Sequence, residues 1–393
     1  MKLSDYKNIK YINTQISDFC KIRNGYSFKS NLYSKSGIRV IRISDVQKGS
    51  ISDNDIVFYP LNFKNEFENY LLTEKDILVS LTGNVGRVAM LKISNLPAAL
   101  NQRVAAISTN SNVINKYLYY CISNDKFENQ CYEASTGGAQ KNLSTKWLAN
   151  YVVPIPEIKV QEEIVKILDS FTNLIDALNE ELSLRQKQFD YYREKLLTFD
   201  DDVEKFIVTE VAQLKSGLTY KPSDVSDKGI LVLRSSNIKN GFLSYDDNVF
   251  VKESTKISDR SIVRCNDILI CVRNGSKKLV GKCAMIDKNA DGMAFGAFMS
   301  VLRAKDINPK YLFYVWSSQI IQDKIKGDDA APINQITSKD FNRLLIPVPK
   351  EQIQQSIVEK LDAFESLISS LKEEIALRQK QYEYYREKLL TFN

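Results

Sequence analysis

The sequence contains no histidine among its 393 residues. That absence removes His-based triads, imidazole metal ligands and the commonest general base. Enzymatic chemistry would have to run on carboxylates or lysine. No G-x-S-x-G, no G-x-G-x-x-G and no zinc-spaced cysteine set is present, nor a D-P-P-Y or N-P-P-F tetrapeptide of an amino-methyltransferase. The six cysteines, Cys20, Cys121, Cys131, Cys265, Cys271 and Cys283, form no C-x-x-C pair. In a chain of this length they read as reduced thiols in a cytoplasm. No stretch approaches the ~20 apolar residues of a membrane span, and the opening "MKLSDYKNIKYINTQISDF" lacks the uninterrupted apolar core of a signal peptide. Neither sign of charge dominates: the formal net charge of +6 favours a polyanion but is shared by many proteins without one. With 44% hydrophobic and 26% charged residues, the chain is an ordinary globular sequence long enough for two cores.

What is present is one pattern written twice. "LRQKQFDYYREKLLTF" begins at Leu184, and "LRQKQYEYYREKLLTF" begins 193 residues later at Leu377, with fourteen of sixteen positions identical. At the same offset "PIPEIKVQEEIVKILDSF" from Pro154 faces "PVPKEQIQQSIVEKLDAF" from Pro347. Each P-x-P keeps the preceding chain extended, and its second proline suits the first turn of a helix. Downstream, apolar residues alternate four and three apart: Ile164, Leu168, Phe171, Ile175, Leu178 and Leu182 in one copy, Ile357, Leu361, Phe364, Ile368, Leu371 and Ile375 in the other. This 3.5-residue period, with no Gly or Pro inside it, predicts two coiled-coil arms of roughly 60 Å each. Their seams match, so the arms are expected to pair with each other, antiparallel. Arg185 and Arg378 interrupt the seams at equivalent places. Either they fix register against Glu180, Glu181, Glu373 or Glu374, or they reach solvent and pair with nothing; both readings stand.

The segments between the arms repeat more weakly. "DFCKIRNGYSFK" (Asp18 on) faces "EVAQLKSGLTYK" (Glu210 on), "DILVSLTGNVGRVAM" (Asp76 on) faces "DILICVRNGSKKLVGKCAM" (Asp267 on), and "YLYY" at Tyr117 faces "YLFY" at Tyr311. Short β-branched strands punctuated by Gly, Asn and Asp turns alternate with helices. The expected fold class is therefore α/β: two globular heads alternating with two long helices, with an internal pseudo-twofold repeat. The expected boundaries are 1–153 and 200–346 for the heads, 154–199 and 347–393 for the arms.

The heads differ most in their loops. After the D-I-L strands, the first copy offers Asn84 and Arg87; the second, four residues longer, offers Arg273, Asn274, Lys277, Lys278 and Lys282. Gly275 to Lys282 is superficially like a phosphate-binding loop, but five residues separate its glycines and Cys283 stands where Ser or Thr would hold a metal. A later loop carries Gln140, Lys141 and Asn142 in the first head, Asn334 and Gln335 in the second. Lys29 and Lys221 follow matched glycine turns. Asn and Gln can pair with adenine in the major groove, and Arg and Lys favour guanine and phosphates. The same residues are everyday loop residues, so each is a candidate DNA contact beside a plain structural reading. Arg42 and Arg234, at matched strand positions, either anchor phosphates or form internal ion pairs, and the structural reading is slightly favoured.

This doubled arrangement resembles the specificity subunit of Type I restriction-modification systems. The P-x-P…Q…I…L-D pattern stands as Pro154, Pro156, Gln161, Ile164, Leu168 and Asp169, and again as Pro347, Pro349, Gln354, Ile357, Leu361 and Asp362. "STGGAQKNLST" (Ser135 on) is similar to that family's late target-recognition segment; the second head departs from it, reading "AAPINQIT". The resemblance implies a non-catalytic cytoplasmic reader of double-stranded DNA, with no catalytic residue, metal or cofactor of its own and no membrane. Each head would be a target-recognition domain for half of a bipartite site. The arms would set the spacer and dock two modification subunits carrying S-adenosylmethionine; restriction/translocase subunits would bring ATP and magnesium. The aromatic-basic stretch Tyr191-Tyr192-Arg193 and its copy Tyr384-Tyr385-Arg386 are candidates for that docking. The rival readings are a coiled-coil scaffold with protein-binding heads, and a decoy or recombination reservoir without an active partner.

Overall fold

The computed structural model describes residues 9–110, 112–138, 140–200, 202–326 and 335–392. The chain divides into two compact units, Met1–Leu178 with Glu374–Asn393, and Asn179–Glu373.

The first unit is built on an antiparallel sheet in the order Cys20–Asn24, Val104–Thr109, Ile77–Ser80, Val88–Met90. The second repeats it as Ala212–Ser216, Met299–Ala304, Ile268–Cys271, Cys283–Met285. The central strands Ile77–Ser80 and Ile268–Cys271 are buried at every residue, because both sheet faces are covered. Alternate residues on a strand point to opposite faces. Accordingly Ile77 and Val79 pack with the helical layer that includes Tyr117, Leu118 and Phe127. Leu78 instead packs with Ile41 and Leu100 of a smaller mixed sheet. The second unit divides the same way, Ile268 and Ile270 toward Tyr311 and Trp316, Leu269 and Cys271 toward Leu233 and Phe295. In each unit a buried aspartate anchors the strand start: Asp76 pairs with Arg23 at 2.6 Å, and Asp267 with Arg303 at 2.8 Å.

The arms are single helices of 40 residues, Ile158–Leu197 and Glu351–Leu390. Ile164, Leu168, Ile357, Leu361, Ile368, Leu371 and Ile375 are buried; Phe171, Ile175, Leu178, Leu182 and Phe364 are half-buried. Within the first unit Phe171 stacks on Tyr385 with ring centroids 5.1 Å apart. Within the second, Phe364 stacks on Tyr192 at 5.4 Å. These are the same two sequence positions exchanged between the copies, which is what antiparallel pairing of two equal arms requires. Arg185 and Arg378 bond to glutamates on their own helix, Glu181 at 3.3 Å and Glu374 at 3.2 Å.

Each head is joined to its arm by the residues of the P-x-P…Q…L-D pattern. The first P-x-P lies in the strand Val152–Pro156, which pairs with Tyr11–Gln15, and the second starts at the last residue of Leu345–Pro347, which pairs with Lys205–Ile207. The Tyr117 hydroxyl donates to the Pro154 carbonyl at 2.7 Å, and the Tyr311 hydroxyl to Pro347 at 2.9 Å. Gln161, fully buried, accepts from the Ile114 amide and donates to the Pro156 carbonyl. Gln354 does the same between Asn308 and Pro349. Asp169 takes the Tyr120 hydroxyl and the Lys116 ammonium, and Asp362 takes Tyr314 and Lys310.

Candidate nucleic-acid interface

In the first head the loop following Ile77–Ser80 is drawn against the late loop. Thr82 bridges Asn142, the Leu143 amide donates to the Leu81 carbonyl at 2.7 Å, and the Gly83 amide to the Lys141 carbonyl at 2.9 Å. The turn depends on glycine twice. Gly83 has φ +70°, and at Gly86, φ +79°, a Cβ would lie 2.6 Å from that of Cys131. Only Gly can take that backbone and let the loop press on the helix Asp125–Ala134. Asn84, Arg87, Gln140, Lys141 and Asn142 are thereby brought together. Asn84, Gln140 and Asn142 are exposed. The Asn142 side chain accepts from Thr82, and Lys141 lies 5.0 Å from the Tyr132 ring. Arg87 is half-buried and donates to the Gln47 side chain at 2.7 Å. Lys29 is exposed at the start of the turn Ser30–Leu32; no hydrogen bond or ion pair among the described residues joins it to these loops.

The second head has the same geometry with different side chains. Arg273 bridges Gln335, and the Ile336 amide donates to the Val272 carbonyl at 2.7 Å. Arg273 is exposed and lies over the Phe298 ring at 5.4 Å. Asn274 donates to the Ser235 hydroxyl at 3.1 Å. Lys277 and Lys278 begin a 3-10 turn, Lys277–Leu279; Lys278 is exposed, while Lys277 and Lys282 are half-buried. Lys221 is exposed, with its backbone amide held by Asp224. Asn334 lies outside the described residues.

Two residues beside these loops were not singled out from the sequence. The Leu81 amide donates to the Arg103 carbonyl at 3.0 Å; the Val272 and Arg273 amides donate to the Phe298 carbonyl at 3.0 and 3.2 Å. Arg103 and Phe298 therefore occupy equivalent corners, both exposed. The matched turns "NQR" and "GAF" before the strands Val104–Thr109 and Met299–Ala304 are the signal that locates them. Arg42 and Arg234 are ion-paired: Arg42 with Asp45 and Asp55, Arg234 with Asp247 at 3.2 Å.

Behind the first loop, Lys48 is held above its usual pKa by hydrogen bonds to Glu128 and Asp125, and Asp125 is held below its own by Lys48. This pins the turn carrying Gln47 to the helix below it. Burial pushes the thiols of Cys20, Cys121, Cys131 and Cys283 up to about 12. They are protonated at neutral pH and poor nucleophiles. Among the described residues, no group of three or more Cys, Asp or Glu side chains is placed to hold a metal ion, and no helix is long and apolar enough to cross a membrane.

Comparison with known proteins places this geometry in context. The family described as the Type I restriction modification DNA specificity domain matches the chain twice, over residues 8–184 and 200–377. The chain is 30% identical over 299 residues to the Type I restriction enzyme EcoR124I/EcoR124II specificity subunit of Escherichia coli, covering 70% of each. It is 29% identical over 311 residues to a putative specificity subunit of Haemophilus influenzae, covering 75% of this chain and 76% of that one. The crystal structure of a Type-I restriction-modification S subunit from M. genitalium has the same fold, with TM-score 0.58, 15% identity and coverage of 98% and 97%.

Proposed function

The chain belongs to the Type I restriction-modification DNA specificity family, which matches both of its halves, and from that premise we propose that each head reads one half of a bipartite site in duplex DNA. As a DNA specificity subunit it selects sequence. The supporting observation is the paired-loop corner that occurs twice on one scaffold with different side chains: Thr82, Asn142 and Arg103 in one head, Arg273, Gln335 and Phe298 in the other. A duplicated scaffold with exchanged tips suits two different half-sites. Exposed arginines suit guanine O6 and N7, Asn and Gln suit adenine N6 and N7, and lysines such as Lys29, Lys221 and Lys278 suit phosphates.

The subunit is non-catalytic in this reading and cytoplasmic. Modification subunits bring S-adenosylmethionine and restriction subunits bring ATP and magnesium. The arms set the spacer and dock two modification subunits. Leu184 and Tyr191 are exposed one heptad apart on the first arm, as are Leu377 and Tyr384 on the second. Two equal apolar patches suit two copies of one partner. Of the aromatic-basic stretch, Tyr191 faces solvent, whereas Tyr192 is stacked and Arg193 is paired with Asp190 and Glu194.

The test is methylome sequencing of cells carrying this chain with its modification subunit, against cells lacking it. The expected result is loss of one bipartite methyladenine motif on deletion. An unchanged methylome, together with no salt-dependent, sequence-specific affinity for duplex DNA, would favour the scaffold reading instead.

A further inference from the structure

The two heads differ at one corner in a way that specifies a ligand. The turn before the last strand of the main sheet carries Asn101-Gln102-Arg103 in the first head and Gly296-Ala297-Phe298 in the second. Both turns close alike, the Val104 amide donating to Asn101 and the Met299 amide to Gly296, each at 2.9 Å. At the facing strand end, Ser235 stands where the first head has Ile43. The second head has thus given up two polar side chains and exchanged a cation for an aromatic ring.

This corner borders a cavity of about 440 Å³ whose lining includes Leu218, Arg234, Ser235, Asp247, Phe298 and Met299, with Arg234 paired to Asp247 at 3.2 Å. Gly296 is not demanded by the backbone. Its φ is not positive, and a Cβ there would meet nothing nearer than 3.8 Å. Phe298 is 60% exposed, beside a cationic loop that lays Arg273 over its ring. Asn274 of that loop bonds Ser235 on the cavity wall, so cavity and candidate interface are continuous.

We propose that Phe298 and this cavity form the second head's thymine subsite. In the major groove thymine presents an acceptor, O4, beside an apolar C5-methyl group; cytosine presents a donor, guanine two acceptors, adenine an acceptor and a donor. An exposed ring next to side-chain donors, here Arg234 and Ser235, complements thymine's methyl group and O4 together; guanine shares the acceptors but offers the ring no methyl group. The first head carries Arg103 at that corner in place of the ring. This inference rests on the reading of the heads as DNA readers.

The experiment uses the full chain assembled with its modification subunits and a duplex bearing its methylation motif. Each thymine is replaced in turn by deoxyuridine, which lacks only the methyl group, and binding is followed by fluorescence anisotropy at fixed salt. One replacement is expected to weaken binding ~4-fold, the value of one buried methyl group. Phe298→Ala is expected to bind the unmodified duplex at least that much more weakly and to be indifferent to the same replacement. Phe298→Leu should retain part of the discrimination. Gly296→Asn, which puts the first head's residue into the cavity, should lose it with an unchanged circular dichroism spectrum. Tight binding that ignores every deoxyuridine, or a penalty that persists in Phe298→Ala, overturns the thymine assignment while leaving the heads as DNA readers. An assembled complex with no affinity for the duplex overturns that broader reading and this one with it.

Discussion

Gln161 and Gln354 show how single residues join head to arm. Each is a buried amide whose two ends satisfy backbone groups on different segments. Buried polar groups left without partners are costly. Gln161→Ala is therefore expected to destabilise the first head by ~1–3 kcal/mol, read as a lowered urea midpoint, and Gln354→Ala the second head similarly. Equal stability of variant and parent would mean that water replaces the amide. Glu365 behaves differently. Burial raises its pKa, opposed by the Tyr314 hydroxyl, Lys310 and Arg193 and reinforced by Asp362. A carboxyl with a raised pKa binds more protons folded than unfolded, so its contribution to stability falls as pH rises from the ordinary range through the folded value. Glu365→Gln should remove that slope from the stability-versus-pH curve while sparing Tyr314, whose hydroxyl bonds Asp362. A variant curve parallel to the parent's would contradict this.

At the scale of the element, the arms are the clearest case of sequence dictating structure. A 4-3 apolar rhythm, broken at Arg185 and Arg378, yields helices of 40 residues. It does not say which residues carry the contacts. Arg185 and Arg378 bond within their own helices, and exchanged aromatic pairs, Phe171 with Tyr385 and Phe364 with Tyr192, stack between the arms. One heptad spans ~10 Å of helix. Deleting one heptad from both arms is expected to shift the preferred spacer between half-sites or to abolish binding, measured on a set of duplexes with graded spacers. An unchanged spacer would refute the arms as a ruler.

At the scale of the whole molecule, each head is completed by the far end of the other copy's arm. Leu389, 1% exposed, belongs to the first head's core, and Arg386 donates to the Ser123 carbonyl there. Phe189 and Leu197 belong to the second head's core, and Glu194 accepts from the Gln319 amide. Removing residues 377–393 should therefore unfold the first head while the second retains its own transition in calorimetry; loss of both together would mean a single cooperative block. The two largest clusters each lie within one unit. Exchanging residues 1–153 for a homologous head, with the contacts to Tyr382 and Leu389 kept, should alter only one half of the methylated motif. A change in both halves would contradict modular reading.

The doubled pattern and the apolar period were sufficient, from the sequence alone, to establish two α/β heads and two long arms, because repeats and periodicity are local properties of the chain. The candidate loops were legible for the same reason, through their Gly, Asn and cationic residues. Which loops meet was decided only by the tertiary structure. Thr82 and Asn142 are sixty residues apart, and Arg273 and Gln335 are sixty-two apart; strand pairing alone makes each pair neighbours. Arg103 and Phe298 escaped notice because a lone residue in a tight turn carries no periodic signal, and their place beside the candidate loops comes from backbone bonds to a distant segment. Likewise, nothing in the spelling of Leu389 or Phe189 assigns either to the core of a particular head. That assignment follows from antiparallel pairing of the arms, which buries each end where an apolar surface awaits it.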